Sequence, residues 1–211
     1  MPDDYPGTRD FAVPDPERDI VLDSRSLRGL AHPLRVRLLG LLRADGPSTA
    51  SKLAERVGLS SAATSYHLRQ LATYGFVREQ QGRGQPRERW WEAAHRSTYL
   101  GPSSVEPEAI EDAQAYLRAV AQGYAQQIDA FLDELPALDP AWQEASDLSD
   151  FALQLTPAQA GALRDELIAV LSRYPARDAS STASSETAEV RVQLQLFRRP
   201  GQPVSQPVSQ P

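Results

Sequence analysis

Ser61, Ala62, Ser65, Tyr66, His67, Arg69, Gln70 and Thr73 fall within one short stretch and share a chemistry: short or hydrogen-bonding side chains with a single permanent charge. At about 100° per residue along a helix, Ala62, Tyr66, Arg69, Gln70 and Thr73 occupy one arc, with Ser65 and His67 on its flanks. A face of this kind makes directional hydrogen bonds at close quarters, which suits base edges in a major groove better than bulk water. The opposite arc carries Thr64, Leu68, Leu71 and Ala72 at i, i+4, i+7 and i+8, a stripe to be buried. Elsewhere the sequence shows no nucleophile elbow, phosphate loop or paired catalytic carboxylates, so neither enzymatic activity nor a cofactor is expected. Asp147, Asp150, Asp165 and Glu166 read as a solvated face.

Two helical patterns within Thr49–Gly75 must position the outward set. The first places Leu53, Ala54 and Val57 on one face, and Gly58 supplies the freedom that a sharp turn needs. Ser60 is a cap for the second, which gives a helix-turn-helix with a recognition helix at Ser60–Tyr74. Any helical hairpin has a turn glycine and a buried stripe, so the following residues matter. Phe76–Gln80 alternates as a strand, Gly82–Pro86 breaks it, and Arg87–Glu92 reads as a returning strand. A hairpin after a recognition helix is a wing, with Arg83 at its glycine-flanked tip and Arg87 and Arg89 behind it, all placed to hold DNA.

HPLRVRLLGLL at His32–Leu42, SKLAERVGLSSAATSYHLRQLATYGFV at Ser51–Val77 and the glycine-rich wing together resemble the ArsR-type winged-helix transcriptional regulators. The resemblance spans about Leu22 to Leu100, less than half the chain. It implies that Ser60, Ser61, Ala62, Ser65, Tyr66, His67 and Arg69 face DNA, although Tyr66 stands where the family often has a second histidine. It also implies a homodimer on a palindromic double-stranded operator and repression by blocking a promoter. Metal-sensing relatives carry cysteines in the third helix or histidine and carboxylate clusters in the last one. Here the third-helix segment Thr49–Arg56 has neither Cys nor His, and the three histidines are scattered singly, so no metal control is expected.

The net charge of −6 divides unevenly along the chain. Residues 24–100 hold 13 basic against 5 acidic side chains, a net +8, between acidic flanks of −5 and −9. That is the electrostatic footprint of phosphate binding. The absence of cysteine excludes disulfides and thiolate chemistry and fits a reducing cytoplasm; no apolar run is long enough to span a membrane.

The expected fold is mainly α with small β: a winged helix-turn-helix domain plus a long helix and a small α/β C-terminal module. Residues 1–22, acidic and proline-rich, are expected to be disordered. Residues 23–100 form the DNA-binding domain, with a helix leading to His32, a second opened by Pro33, and Ser48 capping the third. Residues 104–135 form one long helix on which Ile110, Leu117, Tyr124 and Phe131 recur every seven residues, with Val120 and Ile128 in the same stripe. That stripe fits dimerisation, with packing on its own chain as the alternative. Residues 141–199 read as strand, helix and strand: Phe151–Leu155, a helix from Thr156-Pro157 burying Ala160, Leu163, Leu167, Ile168, Val170 and Leu171, then Val190–Phe197. This module would house any effector or protein partner, and residues 200–211, with the repeat PVSQPVSQP, form a disordered tail. The alternative from another class is a protein-interaction scaffold that reuses the winged helix without specific DNA binding.

Overall fold

The computed structural model describes Phe11 and residues 13–81, 88–101, 105–175 and 187–201. They belong to two compact units, Val13–Ser149 and Asp150–Pro211 with Met1–Ala12. In chain order the larger unit contains β1 (Asp19–Val21), α1 (Ser24–Leu30), α2 (Pro33–Asp45), β2 (Ser48–Thr49), α3 (Ala50–Val57), α4 (Ser61–Thr73), β3 (Val77–Gln80), β4 (Trp90–Ala93), β5 (Ser97–Tyr99), α5 (Ile110–Glu134) and α6 (Pro140–Ala145).

Each helix start has a local cause. Asp23 and Ser26 form a capping box at α1, the His32 side chain accepts from the Leu34 amide ahead of Pro33 at α2, and the Ser60 hydroxyl accepts from the Ala63 amide at α4. Gly58 ends α3 in the left-handed region, at φ 71°, where a side chain would be strained. At α3 the cap is Thr49, not Ser48 as expected. The Ser48–Thr49 pair is instead spent on β2, and Thr49, extended at its end, has the hydroxyl in reach of the Lys52 amide.

Strands β2, β4 and β3 make an antiparallel sheet in that order, with Val77 opposite Ala93 and Gln80 opposite Trp90. The hairpin that was legible after the recognition helix is therefore present, although its turn lies outside the described residues. A second, parallel pair joins β1 to β5. Residues 19–22 thus depart from the disorder expected through residue 22: Asp19–Val21 pair with Ser97–Tyr99, and Leu22 is fully buried. The short apolar run Ile20-Val21-Leu22 finds a strand edge and a core that the surrounding acids concealed. The rest of the acidic stretch, residues 1–10, lies outside the described residues, as does the tail from residue 202.

One core gathers Leu22, Leu27, Leu30, Leu38, Leu42, Leu53, Leu68, Leu71, Phe76 and Trp91 from every layer of this unit. Gly29 sits where α1 crosses the end of α4. A Cβ there would stand 2.6 Å from Tyr74 Cγ and 2.8 Å from Tyr74 Cβ, so only glycine fits without displacing the neighbour. The long helix expected at residues 104–135 is α5, flanked by single turns of 3-10 helix at Pro107–Ala109 and Leu135–Ala137. Pro140 does not simply end this region; it occupies the first turn of α6, capped by the Asp139 carboxylate.

The smaller unit contains α7 (Pro157–Leu171), opened by Thr156 and Gln159 in a capping box. The flanking segments expected as strands, Phe151–Leu155 and Val190–Phe197, form none among the described residues. A ladder needs a second backbone, and no strand pairing of either segment is seen among the described residues. For the same reason α7 buries none of the apolar residues assigned to its inner face: Leu167 and Val170 are exposed and Ala160, Leu163, Ile168 and Leu171 are half-buried.

Candidate nucleic-acid interface

Helix α4 is held down by Thr64, Leu68 and Leu71, each fully buried. Its other side is open: Ser60, Ser61, Ala62, Tyr66, Arg69 and Thr73 are exposed, with Ser65 and Gln70 half-buried beside them. The stripe and the polar arc read from the sequence therefore lie on opposite sides of one helix. The polar groups are oriented by their own helix: Arg69 Nε donates to the Ser65 carbonyl (3.2 Å) and the Thr73 hydroxyl to the Arg69 carbonyl (3.0 Å). Ser61 and Ser51 hydroxyls meet at 3.2 Å across the turn, tying α3 to the start of α4.

His67 turns its ring inward from the flank expected to face DNA. Its centroid lies 4.6 Å from that of His32, and Tyr66 stands edge-on to it at 5.2 Å. His32 Nδ1 accepts from the Leu34 amide at 3.1 Å, which requires a free lone pair there. The meeting of two histidines 35 positions apart had no signal in the sequence, where no spacing links them. Among the described residues no group of three or more His, Asp or Glu side chains is placed to hold a metal ion.

In the hairpin, Arg89 is exposed and 3.9 Å from Glu79, and Arg78 pairs with Glu92 at 2.6 Å. Arg83 and Arg87 lie outside the described residues. Lys52 reaches from α3 to lie 4.8 Å over the Trp90 ring, a cation–π contact that pins the hairpin to the helices. Arg43, one of the basic residues behind the local charge excess, is structural: its Nε donates to the His95 carbonyl (3.0 Å) and a terminal nitrogen to the Thr98 hydroxyl (2.8 Å), and burial pulls its pKa down to about 10.

On α5 the heptad positions divide. Ala109, just ahead of the helix, Ala113 and Tyr116 pack on the core of the larger unit. Ile110 and Leu117 are about half exposed, while Val120, Tyr124, Ile128 and Phe131 are half-buried. By helical geometry Ile110 and Leu117 lie roughly 80° round from the core-facing set, whereas Val120 and Phe131 fall within about 20° of Ala113, so the heptad residues widen the core-facing side into one broad apolar face.

Burial, then the nearby His32 and Arg35, lower the His67 pKa; burial, then Arg43 and Arg78, lower that of His95, with Asp19 opposing. Both groups bind protons more tightly in the unfolded chain. Stability is therefore fully present above the ordinary histidine pKa of about 6.5 and falls as pH drops through it toward the lower folded values. Melting temperature followed from pH 8 to pH 5.5 should decline, and the His67→Gln, His95→Gln double variant should show a flatter profile over the same range.

Residues 30–80 match a family model described as a helix-turn-helix domain. No curated protein sequence matches the chain. Among solved structures, a double mutant of Lactococcus lactis ZitR in apo form is 17% identical and covers 65% of this chain and 83% of its own, at a TM-score of 0.30. Wild-type ZitR in complex with DNA is 18% identical, covering 74% and 82% at 0.28, and RV1404 from Mycobacterium tuberculosis is 14% identical, covering 68% and 82% at 0.29. At these scores the likeness adds nothing to the fold described above.

Proposed function

We propose that the protein is a sequence-specific, DNA-binding transcriptional regulator: a cytoplasmic homodimer of ArsR-like winged-helix type that represses by occupying a promoter and is not controlled by metal ions. One observation carries this reading. Within a helix-turn-helix, α4 offers an exposed, hydrogen-bonding face with one arginine, opposite a fully buried stripe. Ser60, Ser61, Ala62, Ser65, Tyr66 and Arg69 would contact the major groove, with His67 supporting them from the flank against His32. Arg83, Arg87 and Arg89 of the wing would hold backbone phosphate. The net +8 of residues 24–100 supports an electrostatic attraction to DNA, although Arg43 serves the interior.

The test is a gel shift on fragments of the source genome at increasing salt. Affinity should fall steeply as salt rises, with selection of a palindrome whose half-sites lie about one helical turn apart. Arg69→Ala should weaken operator binding by about 1–3 kcal/mol if it reads a base, and Arg83→Ala should weaken operator and non-operator DNA alike. Salt-independent affinity, or no preference for any fragment, would point instead to the interaction-scaffold reading. Zinc, nickel, cadmium and arsenite at stoichiometric concentration should leave operator affinity unchanged.

A further inference from the structure

Three aromatic rings from two helices stand in a row beside the recognition face. His32, exposed at the start of α2, is fixed by a backbone duty: its Nδ1 accepts from the Leu34 amide at 3.1 Å and so caps the helix. Its ring centroid lies 4.6 Å from that of half-buried His67, at an interplanar angle of 49°. His67 in turn stands 5.2 Å from Tyr66 at 80°, an edge-to-face contact of the kind aromatic rings prefer. Tyr66 is 54% exposed and lies on the polar arc of α4. His67 Nδ1 is buried and has no hydrogen-bond partner among the described residues. Contact between rings, and not a hydrogen bond at that nitrogen, is what orients His67, and Tyr66 leans on His67.

We propose that His32 is a positioning residue for the recognition face: anchored as the cap of α2, it fixes His67 and through it the orientation in which Tyr66 meets a base. This role rests on the DNA-binding reading above, and it makes operator selection depend on a residue outside α3 and α4. Protonation undoes the arrangement. An imidazolium donates from both ring nitrogens. On His32 it would turn a donor toward the Leu34 amide and put positive charge at a helix N-terminus. On His67 it would place a proton at Nδ1 with no acceptor to receive it. The groups that act electrostatically on His67 are His32 and Arg35, both from α2 and both opposed to a further positive charge. Among the described residues, no group of α1, α3 or β3, which also pack on α4, offsets them. Arg35 is itself held in place, its Nη2 donating to the Arg28 carbonyl at 2.8 Å. Acidification therefore parts the rings and frees Tyr66, while the added positive charge favours phosphate of any sequence. Selectivity falls as non-specific affinity rises, whereas loss of the fold would lower both affinities.

The test is fluorescence anisotropy of the full-length protein with two labelled duplexes, the genomic fragment it selects and a scrambled duplex of equal length, from about pH 8 to about pH 5.5. The ratio of the two affinities should fall roughly tenfold on acidification, the worth of one base contact. His32→Asn keeps a side chain able to cap α2 but removes the ring. It should show the lowered ratio already at about pH 8, with little further change as pH falls. Tyr66→Ala should lower the ratio as much, and adding His32→Asn to it should lower the ratio no further. Proton NMR of the free protein reads the ring contact without DNA: the His67 titration should move up in His32→Asn, because His32 helps to hold it down. A ratio that holds or rises on acidification, an unaltered ratio in His32→Asn, an additive effect with Tyr66→Ala, or an unmoved His67 titration overturns this role alone. Failure to select any genomic fragment at about pH 8 overturns the regulator reading, and this role with it.

Discussion

On the proposed homodimer held through α5, the triple variant Leu117→Glu, Tyr124→Glu, Ile128→Glu is expected to lose that contact and, with it, most of the affinity for an operator. Leu117 is 51% exposed, and Tyr124 and Ile128 are only half-buried, so three carboxylates leave the core of the larger unit intact. At a two-fold seam, however, each carboxylate would be stripped of water beside its symmetry mate, at several kcal/mol without a compensating partner. A single recognition helix then has to hold DNA alone. Losing the second, tethered half-site should weaken operator binding roughly a hundredfold or more. Helix α5 has 25 residues and spans about 37 Å at 1.5 Å per residue, long enough to fix the separation of two half-sites. Light scattering, circular dichroism and gel shift on the same preparation provide the check. A folded variant that still binds the operator as a dimer through the larger unit would remove α5 from the interface.

Phe76→Ala should cost about 3–5 kcal/mol of stability, the usual range for removing a buried aromatic ring. Phe76 is fully buried and joins three elements at once. Its amide donates to the Leu71 carbonyl at 2.9 Å, closing α4; its carbonyl accepts from the Ala94 amide at 2.9 Å, starting the hairpin; and its ring edge lies under Gly29 of α1. The cavity left behind would lie between the recognition helix and the wing. Urea unfolding measures the loss, which should exceed that of Val77→Ala at the neighbouring strand position. A change under 1 kcal/mol would show that the site collapses to fill the space.

The parts of the fold legible in the sequence are those governed by local chemistry. Gly58 announces its turn and Ser60 its cap, and Thr156-Pro157 opens α7, because each effect acts within one helical turn. The buried and exposed arcs of α4 were likewise legible, since the helix period alone separates them. What escaped notice depends on contacts between distant residues. β1 exists because residues 97–99 offer it an edge, His67 turns inward because His32 lies beside it, and Gly29 is required by Tyr74. The alternation at Val190–Phe197 was real, but alternation describes a face and not the strand that would pair with it.

The fit at Gly29 has a mechanical consequence. Helices that slide past one another do so over a layer of side chains that can exchange rotamers, and α1 keeps no such layer against Tyr74 at the end of α4. On its other side α1 packs on α5, where Arg28 approaches Asp112 at 3.8 Å. A displacement entering through α5 therefore cannot be absorbed as slippage between α1 and α4. It reaches the recognition helix as a tilt of the whole joint, which changes the angle at which that helix would enter a groove rather than its register along one.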